Sequence, residues 1–192
     1  TGAPDTPLFR TAGVLLCLAM IARARYPGTK FDLCLVLEGE QGCGKSSFIR
    51  ELASGPGEGY MVDAPGLIAM DNKTRAELLG GKWIAELAEL SGMARSETEG
   101  VKAFLTQSSD HYRPPYGTAT VDRPRTCVFV ATTNAATYLP DATGNRRFLP
   151  VPCKNVNIAV LRAGRDQLLA EADAVLRRMA RHAVKAGRVR QG

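Results

Sequence analysis

The segment Gly39-Glu40-Gln41-Gly42-Cys43-Gly44-Lys45-Ser46 constrains this 192-residue chain more than any other. It fits G-x-x-x-x-G-K-[ST] in full, and its setting fits too. The apolar run Phe31 to Glu38 precedes it and reads as a buried parallel strand. Ser46 to Ala53 follows as a helix. The physical reason for each residue type is direct. Glycines let backbone N–H groups turn inward and approach phosphate closely. The helix adds its positive N-terminal end. Lys45 brings a mobile charge to the β- and γ-phosphates, and the hydroxyl of Ser46 suits Mg2+. The nucleotide-binding set is therefore Gly39, Glu40, Gln41, Gly42, Cys43, Gly44, Lys45, Ser46 and Ser47. A guanine-reading N-K-x-D is not matched, because Asn72-Lys73-Thr74-Arg75 ends on Arg where an acid is needed. That points to ATP.

Around this loop, strand and helix patterns alternate. Thr11 to Arg25 reads as a helix with Val14, Leu15, Leu18 and Ile21 on one face, stopped by Pro27-Gly28. Tyr60 to Val62 reads as a short strand and Thr74 to Leu79 as a helix. Lys82 to Ala88 is open: its length fits a strand, while Ala and Glu favour a helix. Glu97 to Leu105 reads as helical, Asp110 to Arg125 as a Pro-rich loop or hairpin, and Thr126 to Thr132 as a strand. Pro140 to Asn145 reads as a turn and Arg146 to Val151 as a last strand. Asn157 to Ala186 is amphipathic, with Leu168, Leu169, Ala172, Leu176, Met179 and Ala183 on one side and a break expected at Gly164. The pattern is α/β: a sandwich with a mainly parallel sheet. The expected division is a leading helix over 1–30, a core over 31–153 and a basic helical segment over 154–192.

The net charge of +6 falls entirely on that last segment, where nine Lys and Arg face three acids from residue 151 onward. It suits a nucleic-acid backbone or acidic partner, or equally a solvated helix face. Five cysteines at no metal-ligand spacing read as small core residues in a reducing, cytoplasmic setting. With only His111 and His182, a His-based metal site or Ser-His-Asp triad is disfavoured. The apolar run Ala12 to Ile21 is about half of a bilayer crossing, so no membrane partner is expected. The chain starts on Thr1 and reads as a domain excised from something longer.

Phosphoryl chemistry needs carboxylates beside Mg2+ and the attacking water. Trp83-Ile84-Ala85-Glu86-Leu87-Ala88-Glu89 offers Glu86 and Glu89. At the carboxyl edge of a strand, one could hold metal-bound water and the other polarise the nucleophile. On a helix they would be two solvated glutamates. Thr132-Thr133-Asn134 ends a strand and can position water against the γ-phosphate or simply make the following turn. Arg146 and Arg147 follow Gly144 closely, as an arginine finger would or as a surface pair would.

In sequence order, GEQGCGKSS, WIAELAEL, DHYRPPYG, PRTCVFVATTN, LPDATGNRRFLPV and RDQLLAEA resemble the virulence-associated E (VapE-like) family, phage- and island-encoded ATPases related to superfamily 3 helicases within the AAA+ class. The match runs from about Arg23 to about Ala172, and YRPPYG with TTN and TGNRRF is its more specific part. The resemblance implies a P-loop NTPase (AAA+-like) three-layer sandwich, with ATP and Mg2+ bound between subunits of a ring, expected to be a hexamer. It makes Glu86 and Glu89 the acidic motif, with Glu86 on the metal beside Ser46 and the choice of base open. It places Asn134 at a sensor position and Arg146 and Arg147 as trans-acting arginines. The acids are Glu-x-x-Glu rather than an adjacent pair. The stretch Lys102 to Arg125 falls where superfamily 3 helicases build a DNA-contacting hairpin. Lys102, Arg113, Arg123 and Arg125 would neutralise phosphates, and Tyr112 and Tyr116 could stack on bases, or the segment braces the body. The function implied is an ATP-hydrolysing motor of a mobile element's replication system, moving along or unwinding DNA that is expected to be single-stranded in the ring channel. The alternative is an ATP-dependent assembly or switch module with little unwinding. A small-molecule kinase would need a substrate lid that the Pro-Tyr segment does not evidently supply.

Overall fold

A computed structural model describes residues 1–55, 59–88, 95–114, 118–134 and 145–185. Helix α1 spans Pro7–Arg25, with Thr6 as its N-cap accepting from the Phe9 amide and Pro7 in its first turn. Strand β1 (Cys34–Glu38) and helix α2 (Lys45–Leu52) flank the glycine-rich loop. Then come β2 (Met61–Asp63), a 3-10 turn over Leu67–Ala69, α3 (Asn72–Leu79) and β3 (Ile84–Leu87). Next are α4 (Arg95–Leu105), β4 (Ser109–Tyr112), β5 (Val121–Pro124) and β6 (Val128–Thr133). A 3-10 turn over Asn145–Arg147 leads into β7 (Phe148–Pro152), and α5 (Ile158–Lys185) closes the described chain. The expected turn from Pro140 lies outside the described residues up to Gly144.

The main sheet has the order β2-β3-β6-β1-β7, and every pairing in it is parallel. Side chains alternate across it. Cys34, Val36, Ala85, Leu87, Phe129 and Ala131 face a core that Leu67, Leu79, Val101, Phe104 and Leu105 cover from α3, α4 and the first 3-10 turn. Leu35, Leu37, Ile84, Val128 and Val130 face the opposite core, covered by Leu16 and Met20 of α1 and Ile49 and Leu52 of α2. Leu161 and Leu169 of α5 pack on that same side. The result is three layers, helix–sheet–helix, as expected for this pattern. Strand β3 settles the open reading of Lys82 to Ala88: Ile84, Ala85 and Leu87 are buried in register with β2 and β6. The Pro-rich segment is a hairpin, with β4 antiparallel to β5.

Three expectations are corrected. First, α1 buries Ala12, Leu16, Ala19, Met20 and Arg23, while Val14 is 56% exposed. The alanines allow close approach to the sheet. Arg23 is satisfied at depth by the carbonyls of Cys127, Thr29 (3.0 Å) and Phe31 (3.1 Å). The Phe31 carbonyl is thereby held by a guanidinium, and β1 begins only at Cys34. Second, α5 continues through Gly164. An interior glycine costs about 1 kcal/mol; the helix continues through it, tied to the end of α2 by Arg162 on Glu51 (2.8 Å) and by Arg165 on Ser54. Third, Leu168 and Met179 of α5 point to solvent; Leu169, Leu176 and Ala172 are partly or fully buried. Arg25 clamps α1 to α5 through both oxygens of Asp173. By length and composition α1 could cross a membrane, but its buried face packs on the sheet as a core helix does.

Candidate functional site

The loop between β1 and α2 crosses the carboxyl edge of the parallel sheet. Gly42 and Gly44 have φ of +84° and +95°, the left-handed region that suits glycine. Gly39 lies so near the Cys153 carbonyl that a Cβ there would come within 2.2 Å of it. The loop is pinned from outside by β7 and its exit: the Cys153 amide donates to the Glu38 carbonyl at 2.6 Å and the Val156 amide to the Cys43 carbonyl at 3.1 Å.

Lys45 is buried, and its ammonium donates to the carbonyls of Gly39 (2.7 Å) and Glu40 (2.8 Å) and to Asn134 Oδ1 (2.7 Å). Ser46 Oγ donates to Glu86 Oε1 at 2.7 Å, and Thr132 Oγ1 donates to the same oxygen at 3.0 Å. Strand parity explains this meeting. Ile84 and Glu86 on β3, and Val128, Val130 and Thr132 on β6, share the face that α2 covers, so Glu86 and Thr132 point at the start of that helix. Glu86 is only 2% exposed and is satisfied by these hydroxyls.

These groups open on a cavity of about 530 Å3. Gln41, Gly42, Gly44, Lys45, Ser46 and Ser47 form one wall. Glu86, Thr132, Thr133 and Asn134 form the other, with Asp63 at the end of β2. The sequence-derived residues Lys45, Ser46, Glu86 and Asn134 are thus brought together from three separate segments. Glu89 lies outside the described residues. Arg146 and Arg147 stand on the 3-10 turn before β7, exposed and half-buried respectively, and do not line the cavity. Gly39, Glu40 and Cys43 build the loop without lining it. Asp63 was not singled out from the sequence; its signal is a three-residue apolar strand ending in an acid, which is too short to carry a period. Among the described residues no three His, Cys, Asp or Glu side chains come together, and all five cysteines are free thiols.

The hairpin candidates are partly corrected. Lys102 is 4% exposed and ion-paired with Glu99 at 2.7 Å, so it does not reach a DNA backbone from this position. Arg125 is 2% exposed. Its guanidinium is held by both oxygens of Asp110, by the carbonyls of Phe104 and Gln107 and by Gln107 Oε1, and it stacks 3.8 Å from the Phe104 ring. It fastens the hairpin to α4 rather than facing solvent. Arg123 is exposed, but leans on Gly80 and donates to the Ala76 carbonyl at 3.4 Å. Arg113 is exposed and Tyr112 half-buried, while Tyr116 lies outside the described residues.

The family described as virulence-associated protein E-like domain matches residues 1–190. No match was found among curated proteins. Among solved structures, the apo structure of the NrS-1 C-terminal region (305-718) aligns with a TM-score of 0.56 at 18% identity, covering 88% of this chain and 41% of that one. The A form apo structure of the NrS-1 C-terminal region aligns with a TM-score of 0.59 at 16% identity, covering 85% of this chain and 41% of that one. At these identities the likeness is one of fold, and the chain spans about two-fifths of those structures.

Proposed function

The chain belongs to the virulence-associated protein E-like domain family, and from that premise we propose that it is the ATP-hydrolysing motor domain of a phage or mobile-element replication protein. In this reading it is a P-loop NTPase of AAA+ type, acting in a ring, expected to be a hexamer, as a superfamily 3-like helicase or translocase on single-stranded DNA in the cytoplasm. The observation that carries the proposal is the convergence of Lys45, Ser46, Glu86 and Asn134 on one cavity at the carboxyl edge of a parallel sheet.

The left-handed glycines and the N-terminus of α2 supply an anion-binding cradle. Lys45 would exchange its carbonyl partners for phosphate oxygens. Ser46 Oγ and the Glu86 carboxylate are hard oxygen donors of the class Mg2+ takes, and that ion, when bound, would neutralise charge on the phosphates. Of the two glutamates the sequence singles out, Glu86 is committed to the Ser46 hydroxyl, and Glu89 is the one proposed to take a proton from the attacking water. Asn134 would orient the terminal phosphate. Arg146 and Arg147, away from this cavity in their own subunit, are free to serve a neighbour's.

One observation favours the second reading, an assembly or switch module with little unwinding: Lys102 and Arg125, two of the four DNA candidates, are buried. Steady-state ATP hydrolysis of the full-length protein with and without single-stranded DNA, beside a native mass measurement, separates the two. A motor is stimulated by DNA; a switch hydrolyses at the same rate without it. Absence of ATP hydrolysis in both conditions removes both readings.

A further inference from the structure

We propose that Asp63 is the second carboxylate of the divalent-cation site, set opposite Glu86; this rests on the nucleotide-binding reading above. Asp63 ends β2, and its Cα pairs in register with that of Glu86 on the adjacent parallel strand. In-register neighbours on parallel strands share a face and lie about 5 Å apart. The parity of the preceding residues agrees, since Met61 and Ile84 pack in one core while Val62 and Ala85 pack in the other. Both carboxylates therefore look toward α2, and both line the same cavity as the phosphate loop.

Two carboxylates side by side repel unless a cation lies between or beside them. Among the described residues no lysine or arginine forms an ion pair with either carboxylate. The ammonium of Lys45 is turned to Gly39, Glu40 and Asn134. Arg50 shares a neighbouring cavity with Asp63 but forms no ion pair with it. Glu86 Oε1 is held by two hydroxyls, whereas among the described residues no side chain donates to Asp63. Asp63 is also exposed, so it is accessible to a hydrated ion. Mg2+ keeps several of its waters, and an acid one strand away from its direct ligand is placed to accept from them. Asp63 thus acts as a positioning residue: it holds the ion's water shell and leaves Ser46 and Glu86 as the ligands.

The test is nucleotide binding by the full-length protein, titrated with Mn2+ using a fluorescent ATP analogue, for the parent, Asp63→Asn, Asp63→Glu and Lys45→Ala. Asp63→Asn is expected to need about 10- to 100-fold more Mn2+ for half-maximal enhancement of binding. Its binding in EDTA should be unchanged or tighter, because one negative charge near the phosphates is gone. Asp63→Glu should recover most of the shift, and Lys45→Ala should lose binding with or without metal. An unchanged Mn2+ midpoint in Asp63→Asn overturns the assignment, as does a variant equally weakened in EDTA. A parent that binds no nucleotide removes the nucleotide-binding reading and this role with it; a parent that binds beside an unshifted variant removes this role alone.

Discussion

Lys45 and Asn134 are joined by a 2.7 Å hydrogen bond that ties the phosphate loop to the end of β6. The loop lysine is therefore already turned toward the residue that follows the central strand, and in the proposed reading nucleotide entry would redistribute this bond. Asn134→Ala leaves Lys45 with its two carbonyl partners, so the loop should fold and bind nucleotide with little change. Loss of a preoriented polar group at a charged transition state costs on the order of 10²-fold in turnover. Comparing nucleotide Kd with kcat for this variant checks the point; a Kd weakened as much as kcat contradicts it.

Arg125 and Asp110 form a buried pair, their side chains only 1% and 8% exposed. Removing one partner leaves the other charge buried and unsatisfied. Arg125→Ala should therefore lower stability by about 3–5 kcal/mol, whereas Arg178→Ala, at an exposed site on α5, should change it by less than about 0.5 kcal/mol. Denaturant unfolding of both variants measures the difference, and comparable stabilities would mean that Arg125 does not fasten the hairpin.

Burial pushes the Cys34 thiol up to about 12 and the Cys127 thiol up to about 11, against an ordinary value of 9.0. The unfolded chain ionises these thiols first, so the folded state binds more protons above pH 9. Stability attributable to them is fully present below pH 9 and falls as pH rises from 9 toward 11 and 12, by about 1.4 kcal/mol per pH unit for each thiol at most. At pH 8 a thiol reagent should leave Cys34, Cys127 and Cys153 unlabelled in the native protein. Cys43, half-buried in the phosphate loop, should react, and bound nucleotide should slow it. Rapid native labelling of Cys34 would contradict this burial.

The strand–loop–helix unit around Gly39–Ser46 was legible because its signal is local: eight consecutive residues contain both the turn glycines and the lysine. Strand β6 was legible for the same reason, as an apolar run with a polar end. Strand β3 was not, because Ala85 and Glu86 carry helix preference and only the neighbouring strands and the hydroxyls of Ser46 and Thr132 make an extended Glu86 comfortable. The face of α1 misled for a related reason. The larger apolar residues suggested one stripe, while the sheet selected the stripe with small Ala12 and Ala19 and gave Arg23 three carbonyls. Arg125 resembles any loop arginine until Asp110, Phe104 and Gln107 fold around it from 15 to 21 residues away. Asp63 required the sheet register itself.

Arg146 and Arg147 stand outside the cavity of their own chain, so the proposed role in a neighbour's site makes a specific demand. Arg146→Ala/Arg147→Ala should retain nucleotide binding and lose about 10³- to 10⁵-fold in turnover, the scale of a trans-acting arginine. Mixed with Lys45→Ala chains, each inactive alone, it should regain partial activity, since some interfaces would pair an intact loop with intact arginines. If mixed rings form and stay inactive, the arginines do not act across the subunit boundary.

The central claim is that this fold hydrolyses ATP at the cavity where Lys45, Ser46 and Glu86 converge. The most direct measurement is Mg2+-dependent ATP hydrolysis by the full-length protein and its Lys45→Ala variant, with circular dichroism and thermal melting confirming that both are folded. The account predicts measurable turnover in the parent and a loss of about 10²-fold or more in the variant, with the fold retained. Equal rates in the two folded proteins would contradict it.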